Sequence, residues 1–349
     1  MIFNCSTLKL PNKMNIFYLH TLILLFISLF SCDTDDTEIS TKRDITWLYQ
    51  LQSGNIQDIE ESGFSLVVTD YSPDGSDINK YSAEQIGHLT DSSIIPLAYI
   101  SIGEAENYRF YWDQEWVQTH DQNDFSADAP SWLGHTNPGW TGNYKVRYWD
   151  PDWKESCIKP YLDKIIAQGF QGVYLDIIDA FQYWSDPDNY GPEKEQILEG
   201  DPIDNEADAA DKMINLVLWI ADYCRSQSVY SSDFLVFPQN GESIFDYDNI
   251  NSYMNTISGI GAESIWYHEI TQNDINIIEY RLAYLRNVVS NNKQVLAVDY
   301  IDEGSGFINS NRERILDFIN KCTTENFLYY VARSDRQLNI INTIKSVQP

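Results

Sequence analysis

A closed (β/α)8 barrel, a single α/β domain with long loop insertions, is the fold class that this 349-residue sequence predicts. From Thr46 onward, short apolar segments alternate with amphipathic segments at helical spacing, and eight of the short segments are candidate strands. These strands lack polar alternation, which is typical of a parallel sheet buried on both faces. A doubly wound sheet is the alternative, but no glycine-rich phosphate loop follows the first strand.

The predicted elements follow a regular strand–helix order. The candidate strands lie at 47–51, 65–71, 94–102, 172–178, 234–239, 259–265, 294–301 and 327–331. The predicted helices lie at 55–62, 83–89, 153–168, 207–226, 273–289 and 312–321. The helix at 207–226 has the longest apolar stripe at helical spacing, formed by Met213, Leu216, Val217, Ile220 and Cys224.

Two long insertions, at 104–151 and 183–205, interrupt the repeat. Both follow the carboxyl end of a strand, where barrels place their functional sites. The first insertion is rich in tryptophan, with Trp112, Trp116, Trp132, Trp140 and Trp149. Flat indole rings on such loops suit stacking against sugars, and packing of the loop against the barrel is the alternative.

The first residues predict an export signal rather than part of the fold. Lys9 and Lys13 precede an apolar run at 16–30, and Cys32 follows the run. This pattern is typical of a lipoprotein signal peptide and predicts acylation of Cys32; a simple signal peptide or an uncleaved anchor is the alternative. The predicted divisions are a lipoprotein signal peptide at 1–32, a linker at 33–45 and the barrel domain at 46–349.

The predicted lipid anchor implies a location in the bacterial cell envelope. Asp33, Asp35 and Asp36 follow the lipidated cysteine directly. This acidic flank resembles a surface-export signal, which would place the protein on the outer-membrane surface. A plain polar tether explains the same residues equally well. We expect the protein to act as a monomer held to the membrane by lipid alone.

The charge balance limits the possible partners. The formal net charge is −29, and removal of residues 1–31 would take away two lysines and no acids, giving −31. Such a chain is not expected to bind nucleic acid, which requires basic patches. An acidic field attracts cationic ligands, although solubility alone also explains it.

The cysteine and histidine spacing predicts neither a disulfide framework nor a metal site. Beyond the export signal, Cys157, Cys224 and Cys322 lie far apart within helical patterns, so we expect small buried residues. The histidines are isolated, and no Gly-x-Ser-x-Gly nucleophile motif is present. We therefore expect no metal and no cofactor, which leaves carboxylate chemistry.

Acidic residues recur where the predicted strands end. Asp176 and Asp179 end the fourth strand, and aromatic residues follow them. A buried carboxylate is costly unless it is paired or used, although a strand-end Asp often only caps a loop. Paired carboxylates beside aromatic loops are what glycoside hydrolysis needs. The acids at the other strand ends are Asp70, Glu104, Glu106, Glu242, Glu263, Asp299 and Asp335.

Four segments resemble one enzyme family. They are Trp47-Leu48-Tyr49-Gln50, 98–106 (AYISIGEAE), 169–176 (GFQGVYLD) and 238–242 (PQNGE). They are similar to the endo-α-1,4-polygalactosaminidase-like glycoside hydrolases, family 114 and its prokaryotic relatives. The resemblance spans roughly residues 47–333, and it implies a barrel and endo-cleavage of α-1,4-linked galactosamine polymers. A polycationic substrate would suit the acidic chain.

The resemblance also implies roles for individual residues. The strand-four acid of the family falls on Asp176 as nucleophile or base, and the strand-five acid falls on Glu242 as general acid. Glu263 is the reserve candidate for the acid, because it also ends a strand. The long loop at 104–151 departs from the family pattern and leaves the substrate subgroup open. The expected substrate-binding residues are Asp70, Tyr99, Glu104, Tyr174, Asp179, Asn240, Glu263, Trp266, Tyr267 and Asp299.

Two other functions remain open at this stage. One is a barrel glycosidase that acts on a different glycan. The other is a surface glycan-binding lipoprotein without turnover, which needs the aromatic residues but not two carboxylates within reach of one bond. Whether an enzyme would retain or invert the anomeric configuration depends on the separation of the two carboxyl groups.

Overall fold

A computed structural model describes residues 45–119 and 122–349. The predicted signal peptide at 1–32, its Cys32, and the linker up to residue 44 lie outside the described residues. All eight predicted barrel strands are confirmed. They are β1 (Trp47–Gln50), β2 (Leu66–Thr69), β3 (Ile95–Ser101), β4 (Gly172–Asp176), β5 (Leu235–Pro238), β6 (Gly259–Glu263), β7 (Gln294–Asp302) and β8 (Leu328–Arg333).

The eight strands pair in parallel and in chain order, which gives the (β/α)8 barrel. One run of backbone pairing joins β1 through β5, and a second joins β6, β7 and β8. A parallel bridge between Gln239 and Gly261 links the two runs. At the seam between β8 and β1, the Trp47 indole N–H donates to the Leu328 carbonyl at 3.1 Å. The strands are almost wholly buried, as their uninterrupted apolar sequences predict.

Helices separate the strands, with ends close to the predicted ones. Ser82 caps the second helix through a reciprocal capping box with Gln85. The predicted helix at 153–168 contains a π-helical turn at Lys154–Ile158 and ends at Gly169, which has a left-handed backbone. The α-helices are Ile56–Glu61, Ala83–Asp91, Pro151–Trp153, Lys159–Gln168, Ala180–Ser185, Glu206–Gln227, Ser252–Thr256, Ile275–Ser290 and Asn309–Glu325.

The first insertion folds into a small antiparallel sheet. Its strands are Glu104–Glu106, Asn143–Val146 and Leu133–Thr136, with Asn143–Val146 in the middle. The loop also contains Val117, which bridges to Phe125. This insertion therefore has regular structure of its own, built directly on the carboxyl end of β3.

Most tryptophans of this insertion pack against the protein rather than facing solvent. Trp112 contacts Trp116, Trp116 lies edge-on to Trp132, and Trp132 packs on Trp153 beside the barrel. Trp149 contacts Trp184 of the second insertion edge-on. Trp140 differs, because 55% of it is exposed. Packing within the protein thus accounts for most of the tryptophans in this insertion, which the sequence analysis considered for stacking against sugars.

The cysteines have the predicted role. Cys157, Cys224 and Cys322 are buried and unpaired. Burial raises the pKa of the Cys157 and Cys224 thiols to about 12, so both are protonated at neutral pH. Across residues 45–119 and 122–349, no helix is both long enough and apolar enough to span a membrane.

Close packing at the start of β4 gives a stability prediction. A Cβ on Gly172 would lie 2.6 Å from the Leu235 carbonyl oxygen and 2.7 Å from Leu97 Cδ2. Because this contact involves backbone, we expect Gly172→Ala to lower the free energy of unfolding by about 1–3 kcal/mol in urea titrations. Gly87→Ala is the matched control, because its Cβ would meet nothing within 4 Å and it lies in a helix. An equal loss in both variants would contradict the prediction.

Candidate active site

Asp176 is the last residue of β4 and lies at the carboxyl end of the barrel. The Tyr99 hydroxyl donates to its Oδ2 at 2.7 Å, and the Ile177 N–H donates to its Oδ1 at 2.8 Å. Ile177 has a φ of 62°, which is rare for a β-branched residue. This backbone conformation accompanies the hydrogen bond from its N–H to the preceding side chain. Both carboxylate oxygens of Asp176 are therefore fixed in place.

Glu263 is held in a similar way at the end of β6. The Tyr300 hydroxyl donates to its Oε1, and Asn240 Nδ2 donates to its Oε2 at 3.2 Å. The Glu263 N–H in turn donates to Asn240 Oδ1 at 2.9 Å. Ser264, the next residue, has a φ of 51°. The side chain thus has a defined direction at the same end of the barrel as Asp176.

The two carboxyl groups affect one another electrostatically. Burial, followed by the nearby Glu263 carboxylate, raises the pKa of Asp176 well above its ordinary value. Two carboxylates at close range repel one another, which favours the form in which one of the two is protonated. Such a form contains both an acid and a base.

Tyrosines line the barrel beneath this pair. Tyr49 donates to Gln239 Oε1 at 2.9 Å, and its ring lies 5.3 Å from the Tyr174 ring. The Tyr174 hydroxyl is buried and has no hydrogen-bond partner within residues 45–119 and 122–349, and burial raises its pKa well above the ordinary value. A Cβ on Gly261 would lie 1.9 Å from this hydroxyl, so glycine is required there. The Tyr174 hydroxyl is therefore enclosed within the barrel, against the backbone of β6.

Glu242, the predicted general acid, has a different partner. It lies in the turn after β5 and is 8% exposed. Arg281, on the helix Ile275–Ser290, donates from Nε to Glu242 Oε1 at 2.9 Å. This ion pair makes Glu242 the counter-ion of a guanidinium. The assignment of Glu242 as the acid stays a prediction, and the contacts favour Glu263, the reserve candidate.

Asp70 and Glu104 have buried structural partners. Asp70 pairs with Arg109 at 2.7 Å, and Glu106 accepts from the same guanidinium at 2.6 Å. Glu104 is completely buried and accepts hydrogen bonds from three side chains of the first insertion. These are Asn137 at 2.9 Å, Asn143 at 3.1 Å and Lys145. The Asp70–Arg109 pair ties this insertion to the barrel, and the contacts of Glu104 hold the insertion itself together. Neither acid projects freely toward a ligand.

Three other predicted binding residues lie in the protein interior. Trp266 is 3% exposed and packs against Phe318 and Phe327. The Tyr267 hydroxyl donates to Asp317 at 2.5 Å. Asp299 accepts the backbone N–H groups of residues 265–267 at 2.8–3.0 Å. The structure thus gives Trp266 a packing role and gives Asp299 the role of fixing the turn after Glu263.

The remaining predicted residues lie around the pair. Tyr99 and Asn240 contact Asp176 and Glu263 directly. Asp179 is exposed on the segment after β4, just before the helix Ala180–Ser185. The structure therefore brings together Tyr99, Tyr174, Asp176, Asn240 and Glu263 from the predicted set.

Sequence reasoning missed Tyr300 and Arg281. Asp299 and Tyr300 are adjacent in β7, and neighbouring strand residues point to opposite faces. Only one of them can therefore face the barrel interior, and the sequence prediction names the acid. The alternation of β7 was a usable signal. Arg281 lies within a helix that carries no motif, and nothing in the sequence singles it out.

The donor set does not form a metal site in the described part of the chain. In the part of the chain described here, no group of three or more His, Cys, Asp or Glu side chains could hold an ion. The acids near the pair instead accept hydrogen bonds from tyrosine, amide and backbone donors. What the arrangement offers chemically is proton transfer and attack by a carboxylate or by water that it activates.

Comparison with known proteins identifies the family of this chain. The profile of glycoside-hydrolase family GH114 matches residues 31–346, nine-tenths of the chain. The chain belongs to this family. An uncharacterized protein of Thermotoga maritima is 40% identical over 332 residues, covering 94% of each chain. One of Methanocaldococcus jannaschii is 42% identical over 310 residues, covering 89% of this chain and 82% of its own.

Solved structures show the same fold. The glycoside hydrolase domain of PelA from Pseudomonas aeruginosa aligns with a TM-score of 0.58 at 13% identity, covering 85% of this chain and 96% of its own. Aspergillus fumigatus Ega3 in complex with galactosamine aligns with a TM-score of 0.55 at 14% identity, covering 83% and 92%. This family member is therefore a barrel glycoside hydrolase.

The buried Asp299 gives a pH prediction. Burial raises its pKa from 3.8 to about 7, against the three N–H donors that favour its charged form. A raised pKa in the folded state adds stability that is complete below the unfolded pKa and is lost as pH rises through about 7. We expect this contribution to fall by up to about 4 kcal/mol between pH 4 and pH 8.

Urea unfolding of the wild type and Asp299→Asn across this pH range measures that contribution. Asn does not ionise, so the stability advantage of the wild type should shrink as pH rises. Asp176 and Asp70 titrate in both proteins and cancel from the difference. A difference that stays constant from pH 4 to pH 8 would show that Asp299 does not titrate there.

Proposed function

We propose that this protein is an endo-acting glycosidase that cleaves α-1,4-linked galactosamine polymers with Asp176 and Glu263 as its catalytic pair. The observation that carries the proposal is the coupled pair of carboxyl groups at the ends of β4 and β6. Each group is held by two hydrogen-bond donors at the same end of the barrel. In such a pair, one carboxyl can protonate a leaving oxygen while the other attacks or activates water.

The roles follow from the surroundings of each acid. Asp176 acts as nucleophile or base, oriented by Tyr99 and the Ile177 N–H. Glu263 protonates the glycosidic oxygen and is oriented by Tyr300 and Asn240. The proton on Glu263 moves to the leaving group as the glycosidic bond breaks.

A cationic substrate is supported by charge and by similarity. The sequence carries 52 acidic and 23 basic side chains, so its field attracts amino sugars that are not acetylated. The structural similarity to Ega3, which was solved with galactosamine, supports the same substrate class. Asp179 and Trp140, both exposed on loops at the carboxyl side of the barrel, are available to polymer units beyond the reacting ring.

The test uses partly de-N-acetylated α-1,4-galactosamine oligomers with products read by mass spectrometry. Wild type should release short oligomers. Asp176→Asn and Glu263→Gln should each lower kcat by about 10³-fold or more, because each removes half of the acid–base pair. Glu242→Gln should stay within about tenfold of wild type at its own pH optimum. Glu279→Gln, an exposed acid on the helix Ile275–Ser290, is the control.

Other outcomes would overturn parts of this proposal. Loss of activity in Glu242→Gln with activity kept in Glu263→Gln would move the acid to Glu242. Binding without cleavage by wild type would favour a glycan-binding lipoprotein. Cleavage of other glycans alone would keep the pair and change the substrate. The anomeric form of the first product, followed by NMR, separates retention from inversion.

We also infer that the protein is attached to the cell envelope through acylated Cys32. The signal-like sequence at 1–32 and the acidic residues after it support this. Wild type expressed in a bacterial host should fractionate with membranes and carry lipid at Cys32, detected by mass spectrometry. Cys32→Ser should lose the lipid and enter the soluble fraction. A soluble wild type cleaved at another residue would contradict the anchor.

A further inference from the structure

Arg281 contacts residues at the carboxyl ends of both β5 and β6. Its Nη1 donates to the Glu263 carbonyl at 2.7 Å and to the Ser264 carbonyl at 3.3 Å. Its Nη2 donates to Asn240 Oδ1 at 3.2 Å. Its Nε donates to Glu242 at 2.9 Å. One guanidinium therefore joins the ends of two neighbouring strands, and its side chain is only 16% exposed.

These contacts fix the orientation of the Asn240 amide. Asn240 Oδ1 faces two groups that can only donate, Arg281 Nη2 and the backbone N–H of Glu263. The amide oxygen must therefore point toward them. Asn240 Nδ2 then points at Glu263 Oε2, 3.2 Å away, and it can only donate. A flipped amide would set Nδ2 against both donors.

The amide orientation determines which Glu263 oxygen carries the proton. Because Oε2 must accept from Asn240, the proton of the acid form resides on Oε1. Oε1 faces the Tyr300 hydroxyl, which donates to the charged form and accepts from the protonated form. The Arg336 guanidinium lies 4.6 Å from the centre of the Tyr300 ring. The acid thus has one defined proton-bearing oxygen.

We propose that Arg281 is a positioning residue for the acid, and that the chain Glu242–Arg281–Asn240 places the proton of Glu263 on Oε1. In this arrangement Glu242 neutralises Arg281, so that Arg281 orients Asn240 without adding net positive charge next to the acid. The inference rests on the proposed function of Glu263. It also explains why a carboxylate so near the pair is held in an ion pair.

The proposal predicts opposite effects for the two halves of the ion pair. Glu242→Gln leaves the Arg281 charge uncompensated, which favours the ionised form of Glu263. Arg281→Met leaves the Glu242 charge and releases Asn240, which favours the protonated form. One added charge close to a carboxyl group changes its titration midpoint by about one pH unit. The Glu263 midpoint should therefore move in opposite directions in the two variants, by roughly that amount.

The surroundings of the other titratable and charged groups facing Glu263 must be the same in wild type and in the variants. They are Asp176 and Tyr174 on β4, Tyr49 on β1, Tyr300 on β7 and the guanidinium of Arg336. None of them contacts the substituted side chains through a hydrogen bond described here. Arg286→Met is the matched control, because Arg286 is on the same helix but pairs with Glu279 and Glu325.

The experiment follows the carboxyl ¹³C signal of Glu263 against pH in the full chain, with the signal assigned by its loss in Glu263→Gln. We expect a lower midpoint in Glu242→Gln, a higher one in Arg281→Met and no change in Arg286→Met. Arg281→Lys keeps the positive charge but loses the planar set of guanidinium donors. Its Glu263 midpoint should therefore lie nearer to that of wild type than the midpoint of Arg281→Met does. If Arg281→Met fails to fold, Glu242→Gln and Arg281→Lys still show the direction in which the Glu263 midpoint moves.

Turnover of galactosamine oligomers supplies the second reading. The alkaline limb of kcat/KM should move in the same direction as each midpoint, with KM near the wild-type value. Midpoint shifts without any wild-type turnover would leave the Arg281 proposal standing and overturn the substrate. Turnover without opposite midpoint shifts, or shifts in the same direction in both variants, would overturn the Arg281 proposal alone.

Discussion

Two carboxyl groups enclosed at one end of a barrel form the constraint on which the site depends. An ionised carboxylate taken out of water is unstable unless donors or positive charge replace the lost solvation. For Asp176 and Glu263 the replacement comes from hydroxyl, amide and backbone donors rather than from a guanidinium. Neutral donors leave the pair able to hold a proton. A directly bound arginine would instead favour the charged form of its partner.

The other buried acids are instead compensated by positively charged side chains. Asp70 and Glu106 both form ion pairs with Arg109, Glu104 pairs with Lys145, and Glu242 pairs with Arg281. A buried ion pair of this kind contributes geometry more than stability, because desolvation offsets much of the attraction. Here these pairs hold the first insertion and the turns after β5 and β6 in fixed positions. Cations are scarce in this acidic chain, and several of them are used for this purpose.

The fold was more accessible from sequence than the site was. Strand period, burial and helix spacing act locally, so all eight strands could be identified from apolar segments such as Gly172–Asp176. Strand-end acids could also be identified as a class. Their individual roles depend on which face a residue takes and which partner reaches it across the barrel. Asp299 and Trp266 point into the protein, whereas Tyr300 points toward Glu263.

The backbone at the ends of β4, β5 and β6 shows how the site is set. Ile177, Asn240 and Ser264 follow these strands within two residues, and all three have a positive φ without being glycine. Each such residue has a local energetic cost, which persists only where surrounding contacts compensate for it. Here the compensation is visible, because the Ile177 N–H binds Asp176 and Asn240 binds both Glu263 and the Gly261 carbonyl. The same turns that end the strands therefore orient the two acids, so barrel geometry and acid–base geometry are properties of the same residues.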